Sequence, residues 1–394
     1  MIRPKLRKLE RHPLDRGDER LLVLRDPLGL AEPVALPAEA APVLDLLDGK
    51  RNPLQIRQSL LLTRGVDIPA DDIEALVTDL GDAGLLDDDR FRDRWSEMHT
   101  EFLEQAVRPS RLAGLVYPAD PAALAAELEA ALPDPSARTR GDLLAVVCPY
   151  QPFEPTAALL DSTLRDLPSA RELDLILVLG TDHGPGMLPY VITDKPYATP
   201  LGVAPSPARF ASTLAGALPW VLREEIRHRD ALSLEIATVL LHHLYGRDCP
   251  PILSVLCGST VLNPRAADRV DEFLAQLERL VGQHRVLIWA SAELGHVGEA
   301  YGTPPVQETT RDLLEERDRG LLNALCHGHT QALRRRCLES DELLGRASGS
   351  ATFVTLATLL PIGFTAELAG YVTRPAPGDD GWAGLAGLRF HAPR

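Results

Sequence analysis

Cysteine is scarce in this chain of 394 residues: five thiols, at positions 148, 249, 257, 326 and 337, none in a CxxC spacing. Such sparse, unpatterned cysteine excludes a disulfide framework and a zinc-ribbon module, and the thiols are expected to be reduced. Aromatic residues make up only 5% of the chain. The basic clusters Arg3 to Arg11 and Arg334-Arg335-Arg336 contain no interleaved aromatics and read as a solvated tail and a helix face. Positive charge is in deficit, with 41 Lys and Arg against 56 Asp and Glu and a formal net charge of -15. That field repels phosphate backbones and anionic lipid, so neither nucleic acid nor membrane is an expected partner. No apolar run approaches the roughly 18–20 residues needed to cross a bilayer, and the stretch MIRPKLRKLERHPLDR has no apolar core of a signal peptide. A cytoplasmic location is the expectation. There is no internal repeat. Gly180 and Gly184 do not form a GxGxxG or P-loop pattern, and Ser291 has no G-x-S-x-G elbow around it, so neither a nucleotide site nor serine hydrolysis is indicated.

What is present is a globular composition, 45% hydrophobic and 25% charged, on a chain longer than the roughly 100–200 residues of one domain. Two domains are expected. In the first, residues 21–25 and 33–36 read as short strands around the turn Asp26-Pro27-Leu28-Gly29. Helical patterns follow at about 38–47, 53–63 and 69–83. Asn52 is placed to cap the helix opening at Pro53, and GLLDDDRF reads as a short wing. The third helix carries acidic residues and no basic ones, which argues against DNA binding. The predicted boundaries are a small, mainly helical module at 1–89, a helical linker at 90–108 closed by Pro109, and a larger domain at 109–394.

In the larger domain, apolar runs at 143–148, 173–180, 251–256 and 284–291 alternate with helical patterns at 121–132, 155–166, 205–216, 230–245 and 263–282. Alternating strands and helices predict an α/β fold with a mostly parallel central sheet and helices on both faces. Helices at 308–324, 328–339 and 350–360 and a terminal apolar segment at 363–374 complete it, and the proline-rich pieces at 133–135 and 374–377 read as surface loops. In such folds sites lie at the carboxyl ends of the strands. Three ends carry polar groups: Cys148-Pro149-Tyr150, Thr181-Asp182-His183-Gly184, and Ser291-Ala292-Glu293-Leu294-Gly295-His296. Imidazole is a common metal ligand and a nearby carboxylate fixes its tautomer, so His183 and His296 are the centre of the candidate site. Cys326-His327-Gly328-His329 is better read as a surface turn between helices, with Gly328 as a cap, and His242-His243 as half-buried helix packing.

The strings GLVYPADPAALAAELEAAL, VVCPYQPFEP, LVLGTDHGPG, YATPLG, SLEIATVLLHHLYG, SVLCGS and IWASAELGHVGEAYG follow one another in the order and register of the Memo family, over about residues 111–390. That family is similar in fold to class III extradiol dioxygenases. The resemblance implies a metal site that departs from the family pattern here. Tyr150, in CPYQPF, falls where the family's APHAGY loop has a ligand histidine, with Gln151-Pro152 beside it. His183, in GTDHG, falls on the ligand histidine of GPSHH, whose second histidine becomes Gly184. His296, in SAELGH, keeps the histidine of SSDxxH with Glu293 for aspartate. Glu235, in Leu232-Ser233-Leu234-Glu235, keeps the carboxylate of HSLE without its histidine. The family's cysteine in a CGxxP turn is replaced at about Ala347.

The N-terminal strings LDLLDGKRNPLQIRQSL and IEALVTDLGDAGLLDDDRF, within about residues 15–95, resemble PqqD-like winged-helix modules, which hold peptide substrates or partner proteins. A helical docking module without its own ligand is the other reading.

Two histidines alone bind metal weakly, because an iron or zinc site wants three or four donors. The expectation is a Memo-like protein with a weakened or lost metal site, binding a ligand or partner through Tyr150, His183, Glu235 and His296. Its N-terminal module would recruit a peptide or protein. Prokaryotic family members are often named AmmeMemoRadiSam system protein B, which implies a radical SAM protein as companion. The alternative is a non-haem iron oxidoreductase in which His183, His296 and Glu293 or Asp182 hold iron, with Tyr150 as third ligand or as acid.

Overall fold

The computed structural model describes residues 2–17, 19–132, 142–184, 186–339, 343–376 and 380–393. The stretch 133–135, and Pro377 of the stretch 374–377, lie outside the described residues. The chain divides into two compact units, Met1–Glu104 and Gln105–Arg394.

The first unit holds three antiparallel strands, β1 (Glu10–Arg16), β2 (Glu19–Arg25) and β3 (Val34–Pro37), in that order. Its helices are α1 (Ala41–Leu44), α2 (Pro53–Arg64), α3 (Ala70–Asp82) and α4 (Asp89–Glu104). Asn52 accepts from the Gln55 N–H and Gln55 returns the bond, a full capping box ahead of Pro53. The core gathers Leu24, Val43, Leu44, Ile56, Leu60, Ile73, Leu80 and Leu85.

Two expectations for this unit are corrected. The basic N-terminal stretch is solvated only in part: Arg3, Lys5, Lys8 and Arg11 are exposed, but Arg7 is buried and donates to the Asp26 carboxylate at 2.6 Å and to the Gly84 carbonyl at 2.7 Å. Asp26 also accepts from the N–H groups of Leu28, Leu30 and Ala31, so one carboxylate organises the β2–β3 turn. Nor is GLLDDDRF a wing: Leu85 and Leu86 are buried, residues 85–87 pair with 5–7, and Asp89 already opens α4.

The second unit is built on β4 (Leu143–Cys148), β5 (Leu175–Thr181), β6 (Tyr190–Ile192), β9 (Ile252–Cys257) and β10 (Val286–Ser291), with β7 (Tyr197–Thr199) and β8 (Gly202–Ala204) forming a separate pair. The sheet is completed by β11 (His296–Gly298), β12 (Thr365–Pro375) and β13 (Gly381–His391). Its order is β11-β13-β4-β10-β5-β9-β6, and β12 also pairs with β13. The four apolar runs are the parallel centre β4-β10-β5-β9. The flanks are antiparallel, so the sheet is mixed rather than mostly parallel. The segment expected to be terminal is the strand β12, which runs on through Arg374 and Pro375 and turns back into β13.

Helices cover both faces. They are α5 (Pro121–Ala131), α6 (Phe153–Thr163), α7 (Ala208–Ala217), α8 (Leu232–Tyr245), α9 (Ala267–Gln283), α10 (Thr310–Cys326), α11 (Thr330–Leu338) and α12 (Ser350–Leu359). Successive strand residues point to opposite faces, and the end of β5 shows the two layers directly. A Cβ on Gly180 would collide with Leu234 of α8, whereas the hydroxyl of Thr181 meets Thr352 of α12 at 3.2 Å.

Candidate functional site

Ser291 of β10 lies level with Cys148 of β4 on one side and Gly180 of β5 on the other, so three parallel strands end side by side. The chain leaving each end carries the site. From β4 comes Tyr150, which is buried and belongs to the core around the sheet. Its hydroxyl lies 2.8 Å from Nε2 of His183, which comes from β5, and the two rings meet edge-on at 5.8 Å. Burial and the charge of Glu293 hold the Tyr150 phenol well above its ordinary value, against a smaller opposing pull from hydrogen bonds with Ser348 and Thr181. At neutral pH it is therefore a protonated phenol, a hydrogen-bond donor rather than a phenolate.

From β10 comes Glu293, 1% exposed. Its carboxylate accepts from the Tyr150 N–H at 3.1 Å and from the Gln151 amide at 2.8 and 2.9 Å, and it lies 3.1 Å from Nε2 of His296. His296 packs edge-on against Tyr301 at 4.7 Å. The turn entering α12 also reaches the site. Ser348 and Gly349 donate to the Glu293 carbonyl, at 3.3 and 2.8 Å, next to the buried Ala347. Tyr150, His183, Glu293 and His296 are thus brought together.

Asp182 and Glu235 face elsewhere. The Asp182 carboxylate pairs with Arg227 and accepts from the Gly184 N–H at 2.8 Å. Glu235, fully buried on α8, pairs with Arg108 and accepts from the Tyr117 hydroxyl at 2.5 Å, the Ser110 hydroxyl at 3.2 Å and the N–H groups of Arg111 and Leu112. Burial alone would raise the Glu235 carboxyl; Arg108, Tyr117 and the Leu112 N–H outweigh it and hold it below its ordinary range. Its geometry is that of an anchor fastening residues 108–117 to α8.

The side chains do not fit an iron centre in this arrangement. The facing nitrogen of His183 is engaged with a protonated phenol, and that of His296 with the carboxylate that would have been the third ligand. Among the described residues no three or more His, Cys, Asp or Glu side chains are grouped to hold a metal ion. Cys148, just below, is fully buried with its thiol pushed far up by desolvation, so it supplies no thiolate.

The other motifs stand apart. Gly328 takes φ +67° as the helix-ending residue of the turn between α10 and α11, with His327 and His329 exposed beside it. Cys326 and His327 line a cavity of about 560 Å³ with Leu360 and Phe364. His242 and His243 are half-buried on α8, and Ser291 is buried, donating to the Ser233 carbonyl at 2.6 Å.

Sequence reasoning singled out neither Ser348 nor Arg227, because neither belongs to a recognisable motif, and passed over Gln151 although it adjoins Tyr150. It also missed Asp318 of α10, buried beneath the turn that carries His296. This carboxyl accepts from the Gly295 N–H and the Tyr371 hydroxyl, each at 3.1 Å. Burial pushes it up to about 6 against the pull of Arg317, the Gly295 N–H and Tyr371.

Comparison with known proteins agrees with the order of motifs. A "MEMO1 family protein" of Aquifex aeolicus is 24% identical over 99% of this chain and 100% of its own length, the N-terminal unit included. "MEMO1 family protein TTHA0924" of Thermus thermophilus is 27% identical over 71% of this chain and 81% of its own. Among solved structures, the uncharacterized protein JW3007 from Escherichia coli K12 shows a slight likeness, with TM-score 0.34 and 11% identity over 63% of this chain and 99% of its own. Among the described residues no helix is long and apolar enough to cross a membrane. Residues 108–351, more than half of the chain, match the family described as Memo-like protein, and the chain belongs to that family.

Proposed function

We propose that this Memo-family chain works as a binding protein whose ancestral metal pocket is closed by its own side chains. A ligand or partner is received at the rim formed by Tyr150, His183, Gln151, Glu293 and His296, and the N-terminal unit recruits a peptide or protein. The observation that carries this reading is the pairing of donors with one another: Tyr150 hydroxyl with His183 at 2.8 Å, and His296 with Glu293 at 3.1 Å. A metal would have to break both contacts, and one that took Tyr150 as a ligand would also have to deprotonate a phenol that burial holds in its neutral form, which disfavours it against a preformed three-ligand site. What remains at the rim suits recognition. The His183 residue is exposed, the half-buried Gln151 side chain adds an amide carbonyl oxygen beside its N–H bonds to Glu293, and Tyr301 supplies an aromatic wall.

Anaerobic titration of the full chain with ferrous iron tests the pocket, followed by calorimetry. The expected result is no saturable heat at one equivalent, in wild type and in Tyr150→Phe alike. Tight one-to-one binding that vanishes in both His183→Ala and His296→Ala would replace this reading with the iron-dependent oxidoreductase.

A further inference from the structure

We infer that Arg227, with Asp182 and Glu224, is a positioning device for His183 and sets that imidazole against the Tyr150 hydroxyl. His183 is an exposed residue in the connection between β5 and β6, yet the chain on both sides of it is fastened to one buried guanidinium. On the near side, Asp182 pairs with Arg227 and its other carboxylate oxygen accepts from the Gly184 N–H at 2.8 Å. On the far side, Arg227 donates to the Leu188 carbonyl at 3.2 Å and to Glu224 at 2.5 Å. Glu224 in turn accepts from the N–H groups of Met187 and Leu188 at 3.0 and 3.2 Å. The side chains of Arg227 and Asp182 are 7% and 4% exposed. Gly186 and Gly258 press against the guanidinium so closely that a Cβ on either would collide with it.

Burying the Arg227–Asp182 pair is expensive, and apolar residues would hold a surface connection more cheaply. What charged, directional contacts add is a fixed orientation, the role second-layer partners play where one imidazole has to point at one atom. The triad holds the chain at Asp182 and Gly184, the neighbours of His183, and again at Met187 and Leu188, four and five residues on. The Tyr150 hydroxyl is the atom the ring then meets. This inference rests on the reading of the Tyr150–His183 pair as part of the binding rim.

The test uses the full-length protein labelled with 15N-histidine. The His183 ring nitrogens are assigned by their loss in His183→Gln and followed at neutral pH in Arg227→Met, Asp182→Asn, Arg227→Lys and Tyr150→Phe. Tyr150→Phe defines the signal of a ring released from the phenol. The expected result is that Arg227→Met and Asp182→Asn move the His183 signal to that released position, with Arg227→Lys intermediate. Folded Arg227→Met or Asp182→Asn protein with lowered thermal stability but the wild-type His183 signal would overturn the inference, leaving the triad a structural tie. If Arg227→Met does not fold, Asp182→Asn decides in the same way. A His183 signal that moves in the triad variants but not in Tyr150→Phe would keep the positioning device and remove the proposed pairing at the rim.

Discussion

Replacing Glu235 with alanine leaves Arg108, 0% exposed, without its counter-charge, and strips the acceptor from Tyr117, Ser110 and two backbone N–H groups. Removing one member of a buried ion pair costs about 3–5 kcal/mol, because the partner stays buried and uncompensated. At roughly 2–4 °C per kcal/mol for a domain of this size class, the midpoint of the Gln105–Arg394 unit should fall by about 10 °C. Urea unfolding of wild type, Glu235→Ala, Arg108→Met and the double variant gives the coupling directly. The double variant is expected to be more stable than the sum of the two single losses, since neither charge is then stranded. The residual penalty comes from the Tyr117 hydroxyl and the N–H groups of Arg111 and Leu112, and Glu235→Gln, which keeps an acceptor there, should lie between wild type and alanine. A loss below about 1 kcal/mol for Glu235→Ala, or strict additivity with Arg108→Met, would refute the anchor role argued from this geometry.

Asp318, pushed up to about 6 from 3.8, binds its proton more tightly in the folded state. Its contribution is therefore full below the unfolded value and is lost as pH rises from about 4 through about 6. Asp318→Asn should flatten that fall, on the order of 2–3 kcal/mol, in stability measured across the window. Glu235, held below its ordinary range, acts with the opposite sign: its contribution is present above the unfolded value and disappears as pH falls through the folded one. Gly384→Ala would drive a methyl group into the Asp318 carboxylate and is expected to cost about 1–3 kcal/mol by overpacking, read as a lowered urea midpoint with an unchanged slope.

The parallel centre of the sheet was legible because each of its strands is a continuous apolar run, as a strand buried on both faces has to be. The strand β13 was invisible for the converse reason. Its sequence GWAGLAGLRFH is rich in glycine, which weakens strand propensity. Yet Gly384 and Gly387 are required where Asp318 of α10 and Thr163 of α6 approach the sheet. The strand β1 escaped notice because ERHPLDR shows no apolar alternation and is held by pairing with β2. Tyr150, His183, Glu293 and His296 could be named from the sequence because each follows a strand that announces itself. The separation of Glu235 and Asp182 from them could not, since it depends on which face of α8 turns toward Arg108 and on the distant Arg227. Ser348 approaches Glu293 only through the packing of α12, which no local pattern reports.

The central claim is that the pocket at the ends of β4, β5 and β10 is closed by its own side chains rather than built around iron. Its most direct test is elemental analysis of untagged full-length protein, prepared anaerobically and again after exposure to ferrous iron and desalting. The account predicts far less than one iron per chain in both preparations, with wild type, His183→Ala and His296→Ala indistinguishable. Near-stoichiometric iron in wild type that is absent from both histidine variants would contradict it.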